Sequence, residues 1–564
     1  MYKNKIYSGA ISVVAAGLML GCSNSYTAAE IETPVDTPVI ARAVLSVSGT
    51  VVDAATNTPI GDVNITYAGK DIASLSELQH VSQADSGLVA FSASKNTITV
   101  SVQAHKEGYV DTGVEVSTVD QNTSGFTIKM VKLNNPPAGI AVKSETIVAT
   151  DNQAGTIQRA VVVKADVNNS STSNGESTTV TIPVDTVVTD ENNDTVEGLL
   201  EMVVSHYSAS DESSTEAFPG GFAVSATTST PGATTATEED ISFVTAGFTS
   251  IVIKNPDGVK VKNFSVPIEV KMQIREGVSN PETGKPILLG EKVPVWSYNE
   301  DIGKWAREQD DGTIVDLNTT DGFYDVVVQA THLSYWNLDW HYSAVCRNNI
   351  RLNVRDSNGA LVTNQSFYMR ANFVGSSGYL YNGYIRNDGF ADLRNVPLDK
   401  TLEIKSYLSS DRNTALGNTT ITVSANDCNI VGGKTYDIEI DTTQFPVLLP
   451  QTIQLKENCD NGILNRTDIS NVLVYAYDKD WNYLGYKYTD TSGQATFNVT
   501  QDEVSNYRIR VGNVSGWATT SYYDQVSYTT LDADNDGKSD AVMDHTVTLT
   551  GNTAQCLPVV SGGN

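Results

Sequence analysis

The sequence predicts an all-β protein: tandem β-sandwich domains, Ig-like or transthyretin-like, in an elongated array. Three observations carry this. The 564 residues are rich in Thr, Val, Ser, Asn, Asp and Gly, and include 25 Tyr. Apolar and polar residues alternate over short runs, as in Val47-Ser-Gly-Thr-Val-Val-Asp53 and Thr178-Thr-Val-Thr-Ile-Pro183. That is the period of a half-buried strand. The runs are broken by Asn57-Thr58-Pro59, Asp190-Glu-Asn-Asn-Asp194 and similar clusters, whose residues favour turns. Leu, Glu, Lys and Arg are neither frequent nor periodic enough for helix bundles.

The formal net charge is −29, from 37 basic and 66 acidic residues. Nucleic acid is excluded as a partner, because gripping phosphates needs clustered Lys and Arg. A strongly acidic surface repels its neighbours and attracts cations. Catalytic signatures are absent. None of the six His forms a close metal-ligand pair, and there is no Gly-x-Ser-x-Gly elbow or phosphate-binding Gly-rich loop. The expectation is a protein that is not an enzyme, although a carboxylate pair for glycoside hydrolysis could hide among so many acids.

The chain begins with Lys3 and Lys5, followed by an apolar run from Ile6 to Leu20. That run is short for a transmembrane helix and suits a signal peptide. It ends in Leu18-Met-Leu-Gly-Cys22, which resembles a bacterial lipobox. The resemblance implies a signal over 1–21 and a lipid on Cys22 that anchors the protein to a membrane without spanning it. Met19 departs from the usual Leu, and an ordinary cleaved signal is the alternative. Ser23 after the Cys, by resemblance to Gram-negative lipoproteins, favours the outer membrane. Residues 22–42 are polar, contain Pro34 and Pro38, and read as a lipidated tether.

Five segments follow. In 43–133, Ser48-Gly-Thr-Val-Val-Asp-Ala-Ala-Thr-Asn-Thr-Pro-Ile-Gly-Asp-Val-Asn-Ile65, with Asp85-Ser-Gly87 and Tyr109, resembles a carboxypeptidase regulatory-like domain. That implies a transthyretin-like sandwich and no peptidase activity. Asn134-Asn-Pro136-Pro137 marks a boundary. A second sandwich is expected over 138–275, with the Thr/Ala/Ser-rich stretch 223–240 read as a mobile loop. Residues 276–340 hold Trp296, Trp305, Trp336 and Trp340. They read as a Trp-rich module and resemble one found after regulatory-like domains in cartilage intermediate layer-type proteins. Packing between strands is the ordinary reading of those indoles.

The last two segments, 341–447 and 448–564, read as small β-sandwiches. One turn recurs in all three small domains: Asp85-Ser-Gly87, Asp388-Gly389-Phe-Ala391 and Asp490-Thr-Ser-Gly493-Gln-Ala495. Gly permits a positive φ there and Asp caps the turn. The last two domains are therefore read as diverged relatives of the first; chance is the alternative, since such turns are common. Four Cys besides Cys22 allow three pairings. Cys346–Cys428 and Cys459–Cys556 are favoured because each pair brackets one domain, and an oxidising envelope permits them; free buried thiols are the other option.

Two features of the last domain point to binding. Asp532-Ala-Asp534-Asn-Asp536-Gly537-Lys-Ser-Asp540 places carboxylates at alternate positions with a Gly at the sixth. Three carboxylates, the Lys538 carbonyl and Asp540 could gather around a calcium ion. Met543 stands where an EF-hand has Glu, so the loop resembles thrombospondin type 3-like repeats instead. Such calcium is expected to be structural; a solvated acidic turn is the alternative. Aromatics also crowd here: Tyr475, Tyr477, Trp481, Tyr486 and Tyr488, then Trp517 and Tyr522. Such rings either stack on a ligand or pair across strands.

The leading expectation is a lipid-anchored outer-membrane protein, exposed at the cell surface with the periplasmic face as the alternative, that binds polysaccharide or an extracellular protein. A structural component of an outer-membrane complex is the second reading, and a glycan-degrading enzyme the third.

Overall fold

The computed structural model describes residues 45–551 apart from a set of loops, the longest being 119–125, 229–236, 460–472, 501–507, 512–521, 524–529 and 532–540. The expected signal, Cys22 and the tether lie outside the described residues. Among the described residues the chain is nearly all β, with single-turn helices as the exceptions.

The first domain is a two-sheet sandwich. Leu45–Asp53 lies between Leu88–Ala93, antiparallel, and Phe126–Met130, parallel. Asn64–Ala68, Thr99–His105 and Thr112–Ser117 form the facing sheet. Alternation decides what is buried: Val47 and Val51 meet Phe91, Ile65, Val100, Val102 and Ile128 between the sheets. The Asp53 carboxylate accepts the N–H groups of Ala55 and Thr56 at 2.9 and 3.0 Å, which closes the first turn.

The third domain repeats that plan. Ile350–Arg355 lies between Phe390–Leu393, antiparallel, and Thr435–Glu439, parallel. Its second sheet runs Tyr379–Ile385, Phe367–Phe373, Thr401–Leu408, Ala415–Thr422. The last domain repeats it again. Leu448–Cys459 lies between Gln494–Thr500, antiparallel, and His545–Gly551, parallel. Its second sheet runs Tyr483–Tyr488, Leu473–Tyr477, Arg508–Val511, Tyr522–Tyr523.

The recurrent turn occupies one place in all three. Gly87, Gly389 and Gly493 have φ of +61°, +78° and +75°. Their carbonyls accept the N–H of Val51, Val354 and Leu455 on the respective first strands, at 2.8, 2.7 and 2.9 Å. A Cβ at Gly389 would stand 2.7 Å from the Val362 oxygen. The turn is thus a fixed joint between one strand and the next, and only Gly fits it. Cys346 and Cys428 form a disulfide at the edge of the third domain, with Cα atoms 5.3 Å apart. Cys459 ends the first strand of the last domain, but its partnership with Cys556 falls outside the described residues.

Residues 138–340 differ from the expectation: the ranges 138–275 and 276–340 are one sandwich. Its eight-stranded sheet runs Ala223–Thr228, Lys304–Arg307, Val295–Asn299, Tyr335–Tyr342, Thr237–Lys254, Gly198–Ser208, Ile140–Thr150, Thr156–Ile157. In the facing sheet Asn263–Arg275 pairs with Phe323–His332. Strands from both ranges therefore sit side by side, with Thr249 opposite Trp336 and Glu269 opposite Gln329. These partners are remote in sequence, so no local hairpin signal reports them. The expected loop 223–240 is also corrected. Ala223–Thr228 and the start of Thr237–Lys254 pair antiparallel. β-Branched Thr suits a strand, and Val224, Ala226, Ile241 and Phe243 on the two arms are buried.

Candidate binding surface

The eight-stranded sheet is covered on both faces. Leu200, Val204, Ile253, Trp336, Leu338 and Trp340 face the partner sheet. The opposite face carries Tyr207, Phe243, Phe248, Trp296, Tyr298, Trp305 and Tyr335, with Phe218 and Phe222 upon it. Phe218 stacks on Phe222 at 4.2 Å and on Trp305 at 4.9 Å. The Trp305 indole N–H donates to the Pro219 carbonyl at 2.9 Å, and that of Trp296 to the Asp339 carbonyl at 3.1 Å. All four Trp of this region are therefore core, as their size favours. They form no open site.

That aromatic layer is also where three domains meet. Ala54, Val110 and Val131 of the first domain close one side, and Tyr379 of the third meets Phe222 edge-on at 5.2 Å. The Tyr335 hydroxyl donates to the Asp111 carbonyl at 2.6 Å, and Gln103 donates to the Tyr298 hydroxyl at 3.0 Å. Lys260 pairs with Asp111 at 2.7 Å. Burial alone would raise the Asp111 carboxyl, but His105 and Lys260 outweigh it and hold it at about 2.

A buried ion cluster ties the junction. Glu216, after the short helix Glu212–Thr215, contacts Lys129 of the first domain and Arg370 of the third, and Arg370 also contacts Glu212. Burial opposes the Glu216 charge, yet Lys129 and then Arg370 hold its carboxyl down at about 2. Arg370 lies 5.8 Å from the Tyr368 ring and 5.6 Å from that of Tyr407. Phe367, Met369 and Ala371 alternate with these positions and fill the domain core. Tyr368 and Arg370 thus mark the outer face of the third domain's second sheet, and an acidic segment of the central domain sits on it.

The last domain presents the equivalent face. Val474 and Ala476 are buried, and across the sandwich so are Ile453, Leu455, Ala495 and Phe497. Tyr475 and Tyr477 alternate with Val474 and Ala476, so they occupy register positions on the opposite, outer face. Strand pairing extends that face. One row is Tyr486–Tyr475–Arg510–Tyr522, the next Tyr483–Tyr477–Arg508, and Tyr488 pairs with Leu473 beside them. Tyr488 is 47% exposed. Residues in register across neighbouring strands share a face.

Of the residues singled out in the sequence, this sheet brings together Tyr475, Tyr477, Tyr486, Tyr488 and Tyr522. Trp481, Trp517 and the Asp532, Asp534, Asp536, Lys538, Asp540 set lie outside the described residues. The strands on either side of that acidic loop, Thr530–Leu531 and Ala541–Val542, pair antiparallel. Sequence reasoning missed Arg508 and Arg510. Their signal was an Arg-x-Arg alternation inside a short apolar run of a chain poor in base.

No protein-family model matches the chain, and no curated protein matches it. Solved structures with a weak likeness include the Bacillus anthracis TIE protein, 10% identical over 72% of this chain and 74% of that one, with a TM-score of 0.14. A mutant of the shaft pilin SpaA of Lactobacillus rhamnosus GG is 11% identical over 36% of this chain and 97% of that one, with a TM-score of 0.15. A variant of BcpA, the major pilin subunit of Bacillus cereus, is 12% identical over 70% and 99%, with a TM-score of 0.14. Scores of this size assign no family or activity. The strand order defines the class: a tandem β-sandwich protein with three small domains of one topology and a larger sandwich between the first two of them. Among the described residues, no helix is long and apolar enough to cross a membrane.

Proposed function

We propose that the protein is a non-enzymatic binding or adhesion component of the bacterial cell envelope, anchored through a lipid on Cys22 and binding polysaccharide with its last domain. The observation that carries this is the outer sheet face of that domain, where six Tyr and two Arg share adjoining register positions. Tyr offers a flat apolar face with a polar tip, which suits stacking on sugar rings. The first three domains supply a stiff base, because buried rings and ions join them at one junction.

Calcium belongs to the proposal as a structural ion at Asp532–Asp540. Its alternate carboxylates offer the hard oxygen ligands that calcium takes. The test is binding of the full-length chain, carrying Cys22→Ser, to a panel of polysaccharides with calcium and with chelator. Binding that depends on Tyr475 and Tyr486 supports the reading, and binding to no polysaccharide in either condition contradicts it. Protease accessibility of the protein on intact cells supports adhesion; protection supports a structural role within the envelope.

A further inference from the structure

The topological repeat shows what a Tyr/Arg face of this sheet receives. In the third domain, Tyr368, Tyr384 and Tyr407 form a row across three strands. Arg370, one step along the same face, takes the carboxylates of Glu212 and Glu216. The last domain's sheet has the same strand order and places a comparable set on the same face. Tyr486 and Tyr475 stand in register with Arg510, and Tyr483 and Tyr477 with Arg508.

No acidic residue occupies the outer-face positions of those paired strands. In a chain with 66 acids against 37 bases, that is a local reversal of charge. Arg presents a planar fork of donors that matches a carboxylate. Tyr supplies a surface for a sugar ring. A face that sets two Arg beside rows of Tyr fits a polymer that carries both rings and carboxylates.

Resting on the polysaccharide reading above, we infer that the ligand class is a polyuronate, a polysaccharide carrying a carboxylate on its sugar rings, with Arg508 and Arg510 receiving the carboxylates and the Tyr rows the rings.

The experiment compares polygalacturonate with the same polymer fully methyl-esterified, which keeps the rings and removes the charge. Titration uses the full-length Cys22→Ser chain. Polygalacturonate should bind at least about tenfold more tightly, the scale of one or two hydrogen bonds to a charged group, and its affinity should fall with added salt. Arg508→Gln with Arg510→Gln should erase that preference without moving the melting temperature. Should that pair misfold, Arg508→Lys with Arg510→Lys keeps the charge, loses the fork, and should weaken polygalacturonate binding several-fold.

Equal binding of both polymers overturns the inference and leaves the polysaccharide reading standing. So does a polygalacturonate affinity unchanged in folded Arg variants. Binding of polyglutamate but of neither polymer overturns both, and assigns the face to an acidic protein. Binding of none of the three also overturns both.

Discussion

The second sheets of the third and last domains have one topology and different surroundings. Both put Tyr and Arg on the outer face. In the third domain that face is closed: Tyr368 and Tyr407 are buried, and Arg370 is held by Glu212 and Glu216 of the central domain. In the last domain Tyr488, at the edge of the face, is about half exposed. In the third domain this face docks an acidic segment, and the proposal is that the last domain's face docks a ligand.

Substitutions on the covered side should cost stability and leave binding alone. The largest effect is expected from Trp305→Ala. It removes a fully buried indole that stacks on Phe218 and donates to Pro219, and should cost roughly 3–5 kcal/mol in denaturant titration. Glu216→Ala should come next. It removes the buried carboxylate that Lys129 contacts, and leaves Arg370 with Glu212, at a cost of about 3 kcal/mol. The wild-type protein tests the same contact by pH. The Glu216 carboxyl is held below its ordinary 4.5, at about 2. Its contribution is therefore present above about 4.5 and lost as pH falls towards 2. Thermal melts of wild type and Glu216→Ala should converge over that window.

Two smaller changes sharpen the comparison. Gly389→Ala forces a side chain into a +78° φ and against the Val362 carbonyl, and should cost roughly 1–2 kcal/mol. Asp339→Asn should have the opposite sign. Burial drives the Asp339 carboxyl well above 3.8, against the hydrogen bond from Asn337. Wild-type stability is then greatest below 3.8 and declines as pH rises through the raised value. The Asn variant lacks that decline, so its melting temperature should exceed wild type at about pH 8 and match it near pH 3.5.

The fold was legible where information is local. Alternation in Val47–Val52 and Thr178–Ile182 marked strands, and Asp-Gly turns marked joints. The recurrent turn even disclosed that the first, third and last domains are built alike. What was not legible is long-range. Tyr335–Tyr342 is buried on both faces, and its partner strand Thr237–Lys254 lies far earlier in the chain, so the central sandwich looked like two segments. The Thr-rich stretch after Phe222 looked like a loop because its composition, rather than its alternation, dominated the reading. The proposed binding face was half legible. Aromatic spacing showed Tyr475, Tyr477, Tyr486 and Tyr488, but only the pairing with Arg508–Val511 brings Arg508 and Arg510 beside them. Nothing in the sequence marked Glu216, Lys129 and Arg370 as one cluster, since they come from three domains.

The most direct test measures melting and polysaccharide binding together on two variants, Trp305→Ala and Tyr486→Ala. Trp305→Ala should lower the melting temperature and bind normally below it. Tyr486→Ala should melt with the wild type and lose polysaccharide binding. The account is contradicted if Tyr486→Ala binds as the wild type does, or if Trp305→Ala abolishes binding while still folded.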